Sequence, residues 1–437
     1  MYRKFEEVLR VWDKDPGRKP LLVAGARQVG KTWTIRQFCK ENYKDWLYIN
    51  LEKQSGYLEI FEKTLDPGII IRLMEQLSGR RINAGATIFI DEIQQSERAI
   101  TSLKYFCEDA HEYKIIGAGS LLGIKINRFE TSFPVGKVEI RNMYPMDFEE
   151  FLLACGEDIL INSIHESYME RNPLIQGIHE KALSCFEDYL FVGGMPEAVK
   201  VYISEDKNTE LVDDLFYDNI ALAYQADMTK YTQSSAEGVR IGRVYQSVPG
   251  QLARENPKFM YKAVRENANK RDYRTAVDWL CASGLVYRVN NVKIPQSPLK
   301  VYEDENAYKL YMSDVGILSH RAGISRRVIG SNEPNIFRGA ITENYVVQQM
   351  AAMGYDLHYY KPDESMEIDL FLDNVEEYGL QPIEIKASRH RRSTSLKNYC
   401  RKYAPKRAIK LSKDNFGEAD GIFTIPLYAV DCLGNGA

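Results

Sequence analysis

Apolar positions along this chain follow two rhythms, and the changes between them mark its organisation. Short apolar runs lie within 20–24, 45–51, 86–90, 114–118 and 138–140. They predict five strands buried on both faces, as in a parallel sheet. Helical spacing stands between them: Phe5, Val8, Leu9 and Trp12 share one face of 3–12, Ile35, Phe38 and Cys39 follow the first run, and 69–77 precedes the third. From Asp147 to about 233 the pattern is mostly helical, with Phe148, Phe151 and Leu152 on one stripe and Leu183, Phe186, Leu190 and Phe191 on another. Gly193-Gly194-Met195-Pro196 breaks it as a tight turn.

The rhythm then shortens. Helices are predicted over 241–252, with Pro249-Gly250 near the middle, and over 272–280, with a short piece at 263–267 between them. Ser283-Gly284 closes the last, and 285–289 reads as a strand. Helices followed by such a strand predict a winged helix-turn-helix. After a break at 295–298 comes a helix over 338–353, stopped by Gly354. Strands follow over 355–360, 366–372 and 381–387, then a helix over 395–403 and a strand over 407–411. Helix, three strands, helix, strand is the core order of the PD-(D/E)xK, restriction-endonuclease-like fold. The expected class is therefore α/β, in four parts: a parallel-sheet domain over 1–146, of the P-loop NTPase class by the Gly25-x-x-x-x-Gly30-Lys31-Thr32 loop after its first strand, a helical segment over 147–233, a winged helix over 234–295 and a nuclease-like domain over 296–437.

Composition narrows the setting. With 437 residues, 44% hydrophobic and 27% charged, the chain has the make-up of a multidomain globular protein. Its net charge of −4 argues against a protein basic throughout, yet leaves room for a local basic face. Apolar runs are too short to span a membrane, and no signal-peptide core follows Met1. Seven scattered cysteines without a C-x-x-C pair read as reduced thiols. A cytoplasmic protein without a membrane partner is expected.

The first strand runs into Gly25-Ala26-Arg27-Gln28-Val29-Gly30-Lys31-Thr32, a G-x-x-x-x-G-K-[ST] phosphate loop between a strand and a helix. Glycines let backbone N–H groups close around phosphates, the Lys31 ammonium reaches the β- and γ-phosphates, and the Thr32 hydroxyl is a Mg²⁺ ligand. The third strand ends in Asp91-Glu92. Acids at the carboxyl end of a parallel strand sit where ligands bind. Asp91 suits a Mg²⁺ partner and Glu92 suits a base that orients or deprotonates water; the plainer reading is a strand ending in solvated acids. Ser120, ending the 114–118 strand, is either a γ-phosphate sensor or a helix N-cap.

These residues, with Ile88–Gln94, the Tyr144-Pro145-Met146-Asp147-Phe148-Glu149-Glu150 block and Gly193–Pro196, resemble the prokaryotic AAA-type ATPases that carry a C-terminal domain of unknown function. The resemblance implies ATP and Mg²⁺ as cofactors, ATP hydrolysis and a helical lid over 147–233. In that family a Gly-Arg pair precedes the Tyr-Pro block and can supply an arginine finger. Here the pair is Gly136-Lys137, and Lys lacks the planar fork; Arg128 and Arg141 stand nearby.

Asp369, then Glu384 and Lys386 two apart on a strand, match the acidic and basic positions of the nuclease-like fold, with Glu343 on the preceding helix. Glu343, Asp369 and Glu384 are candidate Mg²⁺ ligands, and Lys386 would position water or neutralise charge. The same set also suits an inherited scaffold used only for binding. His390-Arg391-Arg392 follow. Arg243, Arg254, Lys258, Lys262, Arg265, Lys270, Arg271 and Arg274 would give the winged helix a phosphate-contacting face, with DNA ahead of RNA, or an ordinary surface on a protein-binding module. Two functions are expected to compete: an ATPase controlling a nucleic-acid-binding, Mg²⁺-dependent nuclease half, and a nucleotide switch that assembles with a protein partner or with itself.

Overall fold

The apolar runs within 20–24, 86–90 and 114–118 become strands covered on both faces, whereas those near 45–51 and 138–140 form the two edge strands and stay partly exposed, the last mostly so. In the computed structural model, which describes residues 1–127, 133–212, 214–232, 234–331, 336–363, 366–374, 378–389 and 393–434, these are β1 (Leu21–Ala24), β2 (Trp46–Asn50), β3 (Thr87–Asp91), β4 (Lys114–Ala118) and β5 (Glu139–Asn142). They form one parallel sheet in the order β2-β3-β4-β1-β5. An extra strand, β4, stands between the phosphate-loop strand and the acid-bearing strand. Register sets the strand ends in one row: Asn50 beside Asp91, Asp91 beside Ala118, Ala118 beside Val23.

The helices between the strands have readable ends. Asp66 caps Pro67–Ser78 by accepting from the Ile69 N–H at 2.9 Å, with Pro67 at the first helical position and Gly79 closing the end in the left-handed region. Ser96 caps Glu97–Asp109. Ile49, Phe61, Ile70, Ile88, Leu103 and Phe106 pack into the core under the sheet. Each such side chain contributes about 1.5–3 kcal/mol through burial.

The chain divides into two compact units, Met1–Tyr144 with Ala282–Gly284, and Pro145–Cys281 with Leu285–Ala437. The second begins with a capping box: Asp147 accepts from the Glu150 N–H while Glu150 accepts from the Asp147 N–H. The predicted stripes pack here. Phe148 meets Phe186 and Tyr189 edge-on at 6.2 and 5.6 Å, and only Phe191 of the two stripes is half-exposed.

Two sheets follow the helices of this unit. One is mixed, β7-β6-β8-β9, built from Val286–Val292 (β6), Glu303–Met312 (β7), His358–Asp363 (β8) and Met366–Ile368 (β9). The other is β10-β11-β12-β14-β13, from Leu370–Asn374 (β10), Gly379–Ile385 (β11), Ala408–Ser412 (β12), Gly417–Ala419 (β13) and Ile422–Pro426 (β14). The sequence reading differs from this second unit in four ways. It drew one strand over 366–372, but the chain passes from the first sheet to the second at Asp369, whose N–H bonds the Ile383 carbonyl at 3.2 Å. It left out β7, whose first residues, Glu303-Asp304-Glu305-Asn306, are polar. Because β6 and β7 pair antiparallel across 293–302, a boundary at 295 falls inside their hairpin. The helix drawn over 241–252 begins at Ser235 instead, capped by Ser234, so Pro249 lies in its last turn.

Candidate functional site

The loop between β1 and the helix Lys31–Asn42 needs its glycines. Gly25 has φ 145°, and a Cβ on it would lie 2.2 Å from the Met143 carbonyl oxygen; Gly30 has φ 98°. Gln28 also takes a positive φ, 65°. The buried Lys31 ammonium curls back on its own loop, donating to the Gly25 and Ala26 carbonyls at 2.8 and 2.7 Å. Arg3 holds the loop from behind: one guanidinium nitrogen donates to the Val29 carbonyl and the other to the Tyr144 carbonyl at 2.7 Å. Arg3 is buried, and no motif marks it in the sequence.

Thr32 follows Lys31 and points at β3. Its hydroxyl lies 3.1 Å from both Asp91 carboxylate oxygens. Two side chains of β2 complete the shell, the Tyr48 hydroxyl at 3.0 Å and the Asn50 amide at 3.2 Å from Asp91 Oδ2. Asn50 is itself fixed, since its Oδ1 accepts from the N–H groups of Glu52 and Lys53. Sequence reasoning missed Tyr48 and Asn50; the only signal is that β2 neighbours β3 and ends level with Asp91.

Glu92 leaves the strand with φ 52°, a strained value for a residue with a Cβ. Burial pushes its carboxyl above the usual range, against a hydrogen bond from the Gln94 amide, while Asp91 adds to the rise and Lys31 and Arg27 oppose it. A raised pKa suits a group that must take a proton. The buried Ser120 hydroxyl at the end of β4 has no hydrogen-bond partner among the described residues. The loop, Asp91, Glu92 and Ser120 thus belong to one unit, with β1, β3 and β4 side by side. Lys137 of the Gly136-Lys137 pair forms an exposed ion pair with Glu108 at 2.9 Å, and Arg141 pairs with Glu139. Arg128 and the His390–Arg392 run lie outside the described residues.

The C-terminal acids form a second charged group. Glu384 on β11 is buried; its Oε1 meets Lys386 at 2.9 Å, and its Oε2 has no hydrogen-bond partner among the described residues. Asp369 accepts from the Ile385 N–H at 2.7 Å. Burial, then the nearby Glu343 carboxylate, pushes Asp369 up to about 8, against the pull of Lys309. Burial pulls Lys386 down, yet Glu384 and Asp369 carry it above its ordinary value. The sequence reading missed Lys309. It is 1% exposed on β7 and lies 2.7 Å from Glu367 and 3.7 Å from Glu343, which also accepts from the Tyr311 hydroxyl at 2.9 Å. Among the described residues no group of three or more His, Cys, Asp or Glu side chains is arranged to hold a metal ion.

With the geometry in hand, the family described as an AAA domain matches residues 17–152. Two domains of unknown function match the rest, DUF8612 over 184–328 and DUF4143 over 338–430. No curated protein matches in sequence. Similar solved structures include the Walker-type ATPase PABY2304 of Pyrococcus abyssi, at 14% identity over 73% of this chain and 95% of that one, TM-score 0.45. ORC2 of Aeropyrum pernix in its ADPNP-ADP complexes matches at 12% identity over 78% and 93%, TM-score 0.35. The RuvB Holliday junction branch migration motor of Thermotoga maritima matches at 12% over 65% and 88%, TM-score 0.29. Residues 17–152 thus match an AAA domain and have the parallel-sheet α/β fold with a phosphate loop after β1. Among the described residues no helix is long and apolar enough to cross a membrane.

Proposed function

We propose that this chain is a cytoplasmic ATPase whose nucleotide state controls a nucleic-acid-binding C-terminal half. ATP would sit on the Gly25–Thr32 loop, with its Mg²⁺ held by Thr32 and Asp91, whose oxygens already face each other. The glycine cradle and the unpartnered Ser120 hydroxyl fit a phosphate ligand. Lys31 binds phosphate oxygens and Glu92 takes a proton from water. A cation held by Thr32 and Asp91 would supply charge neutralisation during phosphoryl transfer.

Nucleic-acid binding rests on one observation: residues 240–274 hold nine Lys or Arg against three Asp or Glu, in a chain of net charge −4. Eight of the nine basic residues are exposed, Lys270 being half-buried. Such a surface neutralises phosphates and releases counterions. Their place, on and between helices that precede the β6–β7 hairpin, supports a winged-helix reading, with DNA ahead of RNA.

The fold order around Asp369, Glu384 and Lys386 supports a nuclease-like domain. A divalent cation fits there on the strength of the buried, donor-free Glu384 Oε2. Asp369 and Glu384 would hold it, and Lys386 would position the attacking water. Glu343 is less available, being engaged by Tyr311 and Lys309. That ammonium among the acids favours a second reading, a nucleotide switch that grips nucleic acid or a protein partner, another copy of itself included, without cutting.

Fluorescence anisotropy tests the first reading. Glu92→Gln with ATP should hold DNA at least about fivefold differently from Lys31→Ala, with an affinity that falls steeply with salt. Equal affinities in both variants would overturn nucleotide control. Mg²⁺-dependent cleavage unchanged in both Asp369→Ala and Lys386→Ala would overturn the nuclease site.

A further inference from the structure

Two buried side-chain oxygens that follow β3 and β4 have no hydrogen-bond partner among the described residues, and one belongs to a residue with no assigned role. Gln94 lies in the short turn Ile93–Gln95 after β3 and is 1% exposed. Its Nε2 donates to Glu92 Oε2. Its Oε1 is buried without a hydrogen-bond partner. The carboxamide lies against Gly119, just beyond the end of β4, where a Cβ would fall 2.0 Å from Gln94 Oε1. Gly119 is tied to the phosphate-loop strand by its N–H to the Val23 carbonyl at 3.2 Å. The next residue is Ser120, whose buried hydroxyl is the second unpartnered atom.

Burying a polar atom without a partner is costly, so an unpaired carboxamide oxygen beside a catalytic acid marks a place where a donor arrives. We infer that Gln94 is a positioning residue for ATP hydrolysis: its N–H fixes the Glu92 carboxylate, and its free oxygen accepts a hydrogen from the attacking water. One water hydrogen is then held by Gln94 and the other faces Glu92. In the reaction the water oxygen bonds to the γ-phosphorus, and the bond to the bridging oxygen breaks. Its electron pair leaves with ADP, and the proton goes to Glu92. Gly119 is part of the device, because only a residue without a side chain leaves Gln94 its place. Orienting one water is a task of the chemical step, so its loss falls on kcat.

This inference rests on the ATPase reading, and the test separates the two. Steady-state ATP hydrolysis is measured for the full chain and for Gln94→Met, Gly119→Ala and the double variant. Gln94→Met keeps the volume and loses both polar atoms. Gly119→Ala leaves Gln94 chemically intact but pushes it aside, an accommodation made by the far end of a flexible side chain. Each should lower kcat about tenfold or more while changing KM for ATP by less than about threefold. The double variant should be no slower than the worse single one, because both act through one contact. Wild-type kcat in Gln94→Met would overturn the assignment, as would multiplicative losses in the double variant or a rise in KM alone. A wild-type chain with no turnover that depends on Lys31 would overturn the ATPase reading itself, and this one with it.

Discussion

At the end of β3, Asp91 is surrounded by neutral donors, the Thr32 and Tyr48 hydroxyls and the Asn50 amide. In the C-terminal group the carboxylates meet ammonium groups instead: Glu367 meets Lys309 and Lys361 at 2.7 and 3.2 Å, and Glu384 meets Lys386. Neutral donors fix a carboxylate without cancelling its charge, so Asp91 can still attract a cation. Ammonium groups fix it and cancel the charge together. The same chemical group thus keeps its charge open in one place and has it compensated in the other.

The largest way to break the comparison is Lys309→Met. If Lys309 is the resident counter-charge, its loss leaves the half-buried Glu343 without that cation and Glu367 with Lys361 alone, at a cost of about 3 kcal/mol, the low end for a broken buried pair. Urea denaturation should show an earlier transition for the variant. An unchanged midpoint would mean that Lys309 compensates nothing. Next in size comes Arg3→Met, which removes the two charged hydrogen bonds to Val29 and Tyr144 behind the phosphate loop. It should lower stability by about 1.5–3 kcal/mol and weaken ATP binding. Thermal unfolding and nucleotide titration check both effects, and undiminished ATP affinity would free the loop from its dependence on Arg3.

Much of the first site is legible in the sequence because it is local. The loop, the strand that feeds it and the acids of β3 each sit in one continuous stretch, and parallel strands buried on both faces announce themselves as apolar runs. Arg3, Tyr48 and Asn50 are not legible, because they act across elements: nothing in the neighbours of Tyr48 says that β2 pairs with β3. Gln94 stood in plain view in Asp-Glu-Ile-Gln, but its role depends on Gly119, twenty-five residues on. In the second unit, reading failed where the chain changes sheet. The run 366–372 looks continuous, yet Asp369 falls between β9 and β10. Lys309 reads as one polar residue within Ala-Tyr-Lys-Leu-Tyr-Met, and only the fold brings acids to it.

A smaller effect sharpens the neutral-donor side. Tyr48→Phe removes one of the donors on Asp91 Oδ2 and leaves Asn50 in place. The loss should be about 1 kcal/mol without ligand. Mg²⁺·ATP should narrow the gap to the wild type, because a bound cation takes over the Asp91 charge. Thermal unfolding with and without Mg²⁺·ATP reads this directly; a gap that stays constant would mean that Asp91 does not meet the cation.

The last effect concerns Asp369, where the ammonium compensation is incomplete. Partial burial and Glu343 raise its carboxyl to about 8, from 3.8. In the folded chain the proton is therefore kept through a range in which the unfolded chain has lost it. Stability from this group is fully present below about pH 4, falls as pH rises, and is gone above about pH 8. Asp369→Asn cannot titrate, so its stability should be flatter over this window. The difference in melting temperature between variant and wild type should therefore grow in the variant's favour from pH 5 to pH 8, by a few degrees. Mg²⁺ offers the decisive contrast at pH 8. A cation bound to ionised Asp369 would stabilise the wild type and not Asp369→Asn, returning the two curves toward each other. If Mg²⁺ moves neither curve, the second site is compensated by its lysines alone, and the two carboxylate sites differ in kind.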